Sequence, residues 1–323
     1  MTEAYFPTEP PIMPVIYDQN YRNALANLAY ALDKNELSQR VFDLTTWMLG
    51  KNPYHYTTLT LRRRYLRKQI IEEQNKMKAQ GISGFVAPEA SCPKSPYADV
   101  KKQQEFEMQC EVDDQQMLTQ EALEQGKEEI EKERSILKEE LEMVNTIIVV
   151  REEHKNFQMW NHKHELIKTC ARLGFKDILL TEFDNCHNIL ELDNKNYHCY
   201  DFMCLLIKSW LGLPHAVSFG YNEKILLTAE QAQFLQAQVH EYQEMLLTRD
   251  VRNNSRFAFL MYMVTILARA ENEPSLVPHF EFSFKAISRA PQNESSWAYL
   301  QGLYELQKQF DGAFVANQKQ NYC

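Results

Sequence analysis

The sequence predicts an all-α protein, a right-handed α–α superhelix of TPR-like helical hairpins stacked into a crescent-shaped solenoid. Three observations lead there. Glycine is scarce, 9 in 323 residues, where average usage would supply roughly 23. Few positions therefore tolerate a positive φ, which excludes β-sandwiches built on tight primed turns. Apolar residues recur at i, i+3, i+4 and i+7 through most of the chain, the spacing of one helix face. Finally, a corner motif repeats: His154-Lys155-Asn156-Phe157-Gln158-Met159-Trp160 and Asn194-Lys195-Asn196-Tyr197-His198-Cys199-Tyr200 both read polar, Lys, Asn, aromatic, polar, apolar, aromatic.

Weaker copies start at Tyr54, Arg252 and Gln292, aligned so that Leu59, Trp160, Tyr200, Phe257 and Trp297 share one position. The intervals between these anchors are 101, 40, 57 and 40 residues, so a unit of roughly 35 to 40 residues is stretched by two insertions, the size of a helical-hairpin repeat. Each copy carries an amphipathic stretch, a polar corner and a second amphipathic stretch. The corner Asn or Ser is an N-cap, accepting from the first unpaired N–H groups of the following helix.

In chain order, residues 1–15 hold Pro7, Pro10, Pro11 and Pro14 and read as an extended arm that cannot be helical. Residues 16–323 then form a single helical-repeat domain. Helices are predicted at 19–32, 36–50 and 54–69. A polar, patternless stretch with Gly81, Gly84, Pro88, Pro93 and Pro96 follows, read with the charged run beyond it as a flexible insertion over about 70–134. Glu and Lys dominate 119–142, expected as a solvated or coiled-coil-like helix that extends the first helix of the second hairpin. That hairpin comprises 135–152 and 156–171; its Thr146-Ile147-Ile148-Val149-Val150 run is β-prone alone but continues the period begun at Ile136. Helices at 176–192, 196–211, 228–248, 254–269, 274–289 and 294–308 complete the array. Trp160, Phe257 and Trp297 are assigned to the core, and Arg62-Arg63-Arg64 to packing and ion pairs between repeats.

Charge and composition exclude several functions. Lys and Arg number 35 against 44 Asp and Glu, net −9, which speaks against nucleic acid as a partner. The excess lies largely in the 119–142 run. No run of 18 apolar residues predicts a membrane span, and the N-terminus lacks a basic-apolar leader. The glycines form neither G-x-G-x-x-G nor a Walker loop. Seven cysteines without a C-x-x-C pair fit reduced thiols, and the expected location is cytoplasmic. His162 and His164 are two residues apart on a helix and point to different faces, so no metal is assigned to this chain.

On these residues the chain resembles a known family. Pro14-Val15-Ile16-Tyr17 with Tyr21-Arg22, Glu36-Leu37-Ser38-Gln39-Arg40 with Leu44-Thr45, Arg62-Arg63, the two strong corners, Asp250 to Ser255 and Asn293 to Trp297 are similar to the α subunit shared by protein farnesyltransferase and geranylgeranyltransferase type I. About 240 residues follow that pattern in order. The resemblance implies a helical-hairpin crescent wrapped around a β subunit that holds Zn²⁺ and the lipid cavity, with Mg²⁺ as an optional companion of the lipid diphosphate. It implies an enzyme only as an obligate subunit, inactive alone, with no cofactor bound by this chain. The dimer would transfer farnesyl or geranylgeranyl from its diphosphate to the Cys thiol of CaaX-motif proteins such as small GTPases.

Carried over by the resemblance, Lys155 and Tyr197 are the catalytic contacts to the diphosphate, with His198 beside them. Gln158 would hold the peptide's terminal carboxylate, and Tyr56 and Phe157 would line the pocket. Phe157 departs from the family's Tyr, Asn161-His162-Lys163 from its His-His-Arg-like run, and Leu59 and the Cys199 to Met203 run from its Trp and Arg residues. The Rab-type geranylgeranyltransferase α subunit shares the repeat, but Tyr17, Tyr21-Arg22 and Glu36-x-Ser38-x-Arg40 match the CaaX type better. A non-catalytic TPR-like scaffold that binds peptide tails is the alternative outside that family.

Overall fold

Short polar side chains at helix starts set the boundaries of the fold. The structure, a computed structural model, describes residues 17–79, 127–213, 225–270 and 275–321, with side chains to residue 310. Among them are eleven α-helices and no strand: α1 (Gln19–Asp33), α2 (Gln39–Lys51), α3 (Tyr56–Ala79), α4 (Lys127–Val150), α5 (Phe157–Arg172), α6 (Lys176–Leu192), α7 (Tyr197–Leu211), α8 (Ala229–Thr248), α9 (Asn254–Ala270), α10 (Val277–Arg289) and α11 (Glu294–Asn321). The all-α hairpin prediction holds. Asp18, Ser38, Asn156 and Asn196 cap α1, α2, α5 and α7, and Thr228 with Gln231 closes a capping box on α8. Glycine is used where φ must be positive: Gly174 (φ 76°) ends α5 and Gly212 (φ 70°) ends α7, each letting the chain turn over the last carbonyls of its helix.

The chain divides into two compact units, Met1–Leu179 and Leu180–Cys323. In the first, α1 packs on α2, α2 on α3, α3 on α4 and α4 on α5. Tyr21, Ala24, Leu28, Ala31, Val41, Met48 and Leu61 form the α1–α2–α3 core. α4 buries Ile130, Leu137, Leu141, Val144, Ile147 and Ile148. Each such side chain removed from water stabilises by roughly 1.5–3 kcal/mol.

Two acids, Glu133 and Glu140, lie buried in the same α4 stripe. Of the two readings of 119–142, the solvated one fails on the described part, which starts at Lys127: α4 extends the first helix of the second hairpin as expected but buries one face. The ends of the span read as an insertion are likewise helical, as α3 continues to Ala79 and α4 starts at Lys127. Residues 80–126, and the proline-rich arm at 1–15, lie outside the described residues.

Arg62 explains how Glu140 can be buried. Its Nε donates to Glu140 Oε1 at 2.7 Å and its Nη2 to Oε2, while Nη1 reaches Phe42 O, Thr45 Oγ1 and Thr46 Oγ1 at 3.2, 2.9 and 2.6 Å. His162 Nε2 meets Glu140 Oε1 at 2.7 Å. One guanidinium and one carboxylate thus tie α2, α3, α4 and α5, as expected of Arg between repeats. Burial works against ionisation of Glu140, but the hydrogen bonds from Arg62 and His162 prevail and hold its carboxyl at about 2. Burial also pushes His162 below the usual imidazole range, so it is neutral and donates from Nε2.

In the second unit α8 packs on α9, α7 on α9, α8 on α10, and α11 on both α9 and α10. Its core is aromatic. Tyr200, Tyr242 and Phe259 meet at 5.1–6.5 Å between ring centroids, and Phe257, Phe282 and Tyr299 at 5.6–6.1 Å, in the tilted and edge-on arrangements that ring quadrupoles favour. Trp160 and Phe257 are buried as predicted, 1% and 2% exposed, but Trp297 is not. At 50% exposure it lies on the solvent side of α11 with its Nε1 on Pro291 O, 2.8 Å away.

Candidate functional site

The repeat corners share one construction, and it decides which side chains remain for a ligand. In the first unit, Asn156 Oδ1 accepts from Gln158 N and Met159 N at 3.1 and 3.2 Å. Its own carbonyl takes Trp160 N at 3.2 Å. The anchor ring then closes the corner from the other side, with Trp160 Nε1 donating to His154 O at 2.8 Å. The second unit repeats the design, as Asn196 Oδ1 accepts from Cys199 N at 3.1 Å and Tyr200 OH donates to Asn194 O at 3.3 Å. Trp297 does the same six residues back, to Pro291 O. Leu59 and Phe257, at the matching positions, have no polar hydrogen to give.

Successive corners of the second unit are also stitched together. Asn253 Nδ2 donates to Asn194 O at 2.5 Å and Asn293 Nδ2 to Val251 O at 2.8 Å, while Asn253 Oδ1 caps α9 through Arg256 N at 3.0 Å. Asn253 therefore uses both ends of its amide, one for its own helix and one for the preceding corner. In the first corner His55 takes the Asn position, its Nδ1 meeting Thr58 Oγ1 at 2.6 Å and accepting from Thr58 N at 3.3 Å. Burial lowers the His55 pKa, so the ring is neutral and Nδ1 keeps its lone pair. Tyr54 reaches across to the second corner, where its hydroxyl bonds to the Glu153 carboxylate and is held above the usual phenol range by it.

Against this frame the predicted site residues fall into two sets. Lys155, Phe157, Gln158 and Tyr56 belong to the first unit, and Tyr197 and His198 to the second. Lys155 is exposed immediately before the Asn156 cap of α5, and Gln158, the second residue of that helix, is half-buried. Gln158 Oε1 is shielded from solvent and meets no donor among the described residues. Phe157 and Tyr56 are exposed at 60% and 48%, and the Arg63 guanidinium sits 5.8 Å from the Tyr56 ring centre. The Tyr54–Glu153 contact joins the corner of Tyr56 to that of Lys155. In the second unit Tyr197, 64% exposed, lies beside His198 with ring centroids 4.0 Å apart.

Two features limit what these corners offer a ligand. At the start of α5, Asn156 occupies the N–H groups of Gln158 and Met159, as its capping role predicts. An anion at this corner would be met by side chains. Furthermore, Lys195 holds the same corner position as Lys155 and is paired with Asp250 at 3.2 Å. Corner position alone thus does not make a lysine an anion ligand.

Sequence reasoning missed Glu140 as the shared partner of Arg62 and His162. The signal was present as acids recurring within the stripe Ile130, Glu133, Leu137, Glu140, Leu141, Val144. Among the described residues, no group of three or more His, Cys, Asp or Glu is arranged to hold a metal ion. Nor is any helix among them long and apolar enough to cross a membrane.

No family model matches the chain. A stretch of 64 residues is 39% identical to the protein farnesyltransferase/geranylgeranyltransferase type-1 subunit alpha of Dictyostelium discoideum, covering 20% of each protein. The match thus spans about a fifth of that relative's length.

Proposed function

We propose that this chain is the α subunit of a heterodimeric CaaX protein prenyltransferase, which moves a farnesyl or geranylgeranyl group from its diphosphate to the thiol of a C-terminal CaaX cysteine. The observation that carries the proposal is the pair of Asn-capped corners presenting Lys155 with Gln158 and Tyr197 with His198. The local likeness to a subunit named for this reaction supports it.

In prenyl transfer the thiol sulfur bonds to C1 of the lipid, the C1–O bond breaks, and the diphosphate leaves with both electrons of that bond. Negative charge grows on the departing oxygen. Lys155 is the cation directed at it, and the Tyr197 hydroxyl donates to the same group, with His198 alongside. Contacts of this kind act in the transition state more than in the ground state and are each worth about 10²–10³ in rate. The Gln158 amide NH₂ holds the terminal carboxylate of the peptide, while Tyr56 and Phe157 supply apolar walls. A zinc ion held by the partner would keep the acceptor cysteine as thiolate, with Mg²⁺ as an optional companion of the diphosphate. The choice between 15- and 20-carbon lipid belongs to the partner's cavity.

The test is co-expression with β-type prenyltransferase subunits, followed by transfer assays with both lipid diphosphates and CaaX peptides. The expected result is a stable heterodimer in which Lys155→Ala lowers turnover about 10²-fold without dissociating the subunits. An unchanged rate would remove Lys155 from the reaction. The exposed rings Tyr54, Tyr56 and Phe157 favour a second reading, a scaffold that binds peptide tails; failure to form a heterodimer or bind a lipid diphosphate would select it.

A further inference from the structure

The two buried acids of α4 are treated in opposite ways by the helix they face. Opposite Glu140, α3 supplies Arg62. Near Glu133, two turns closer to the start of α4, α3 supplies another acid, Glu73. Glu133 is 0% exposed, and neither of its oxygens has a hydrogen-bond partner among the described residues. Glu73 is 9% exposed; one oxygen takes Lys76 and the other has no partner among the described residues. By helical spacing, buried Ile70 and Met77 flank Glu73 on α3, and buried Ile130 and Leu137 flank Glu133 on α4.

A carboxylate with no donor in such a place is far costlier than a carboxylic acid, which is neutral and needs at most one acceptor. Charged groups on the neighbouring elements do not reverse this. From α3, Glu73 repels, and its cation Lys76 is already paired with it. From α5, Arg172 attracts but is outweighed. From α6, Asp177 is engaged by Arg134 and Lys138 on the exposed side of α4. The balance, dominated by burial and reinforced by Glu73, pushes the Glu133 carboxyl up to about 8.

We propose that a proton on Glu133 latches the C-terminal half of α3 to the N-terminal half of α4, and that its loss in mildly alkaline solution loosens this seam while the Arg62–Glu140 end stays closed. The seam is then a pH-responsive joint within an otherwise fixed stack. Its two halves are distinguished by whether α3 offers Glu133 and Glu140 a cation or a second acid.

Hydrogen exchange of the full chain, read by mass spectrometry at pH 7 and pH 9 and corrected for intrinsic rates, tests the latch. With the Glu133 carboxyl at about 8 in the closed seam and an ordinary 4.5 once opened, linkage favours the open form about tenfold per pH unit between those values and levels off above them, which amounts to about tenfold between pH 7 and pH 9. Protection in peptides from 66–79 and 127–137 should therefore fall about tenfold, while peptides from 157–170 hold. Glu133→Gln, which keeps the shape and cannot ionise, should abolish the fall. The Glu73→Gln variant, which removes the repelling charge, should move its midpoint to lower pH and serves where Glu133→Gln does not fold. Equal protection at both pH values in the wild-type chain overturns the proposal. So does an undiminished fall in Glu133→Gln, or an unmoved midpoint in Glu73→Gln.

Discussion

Arg62→Ala is the most informative single change in the first unit, because it strands a charge that the rest of the structure was arranged to hold. Glu140 is 3% exposed and would retain only the neutral His162 as donor, while Phe42 O, Thr45 and Thr46 would lose the guanidinium. Two routes give the magnitude. Removing one partner of a buried ion pair costs about 3–5 kcal/mol. The Glu140 carboxyl, held at about 2 against an ordinary 4.5 by Arg62 and His162 together, gives the same order, about 3 kcal/mol. For a unit of this size the melting temperature should fall by about 7–20 °C at pH 7, measured by scanning calorimetry.

The sign with pH follows from a lowered carboxyl pKa. The Glu140 contribution is present above 4.5 and is lost as pH falls toward 2, so Arg62→Ala should also flatten the acid limb of the stability curve. The apolar triple variant Arg62→Met/Glu140→Leu/His162→Phe removes the charge together with its partners and should recover most of the loss. A fall below about 2 °C in Arg62→Ala, or a triple variant no more stable than the single one, would show that the pair does not carry the α2–α5 junction.

Other variants probe the corners. Asn253→Ala removes a helix cap and the link to Asn194 O and should lower stability by about 2–3 kcal/mol in urea titration. Trp160→Phe and Trp297→Phe each delete the same ring-to-carbonyl bond, but the buried site should lose about 1–3 kcal/mol and the half-exposed one under about 1. Gly174→Ala forces a side chain to φ 76° with open space around it and should lose about 1 kcal/mol from backbone strain alone.

Helix positions were legible in the sequence because the determinants are local. Corner Asn caps and the i, i+3, i+4 stripe place the starts of α5, α7, α9 and α11 at or next to their observed positions. The depth of burial was less legible, because it depends on partners distant in the chain. Glu140 reads as surface until Arg62, 78 residues away, is known to face it. Trp297 reads as core because Trp160 at the matching position is, yet its ring lies on the solvent side of α11. For the candidate site, the sequence located the corners and the structure established which of their groups are already engaged.

That engagement sharpens the functional argument. A hairpin array needs every corner to satisfy its free N–H groups and carbonyls, and at the second and third corners the Asn amide and anchor ring engage several of them, leaving little for a ligand from the backbone. A corner therefore gains a binding role only through the side chains beside the Asn. In the second corner these are Lys155, Phe157 and Gln158; in the third they are Lys195, Tyr197 and His198. Lys195 is drawn toward Asp250 of the following corner, so Tyr197 rather than Lys195 is what the third corner offers an anion. The contrast is measurable in the heterodimer. Lys155→Ala and Tyr197→Phe should both slow transfer, whereas Lys195→Ala, which breaks a surface ion pair worth under about 1 kcal/mol, should leave the rate unchanged. Equal losses for Lys155→Ala and Lys195→Ala would mean that both lysines serve the stack and neither serves the chemistry.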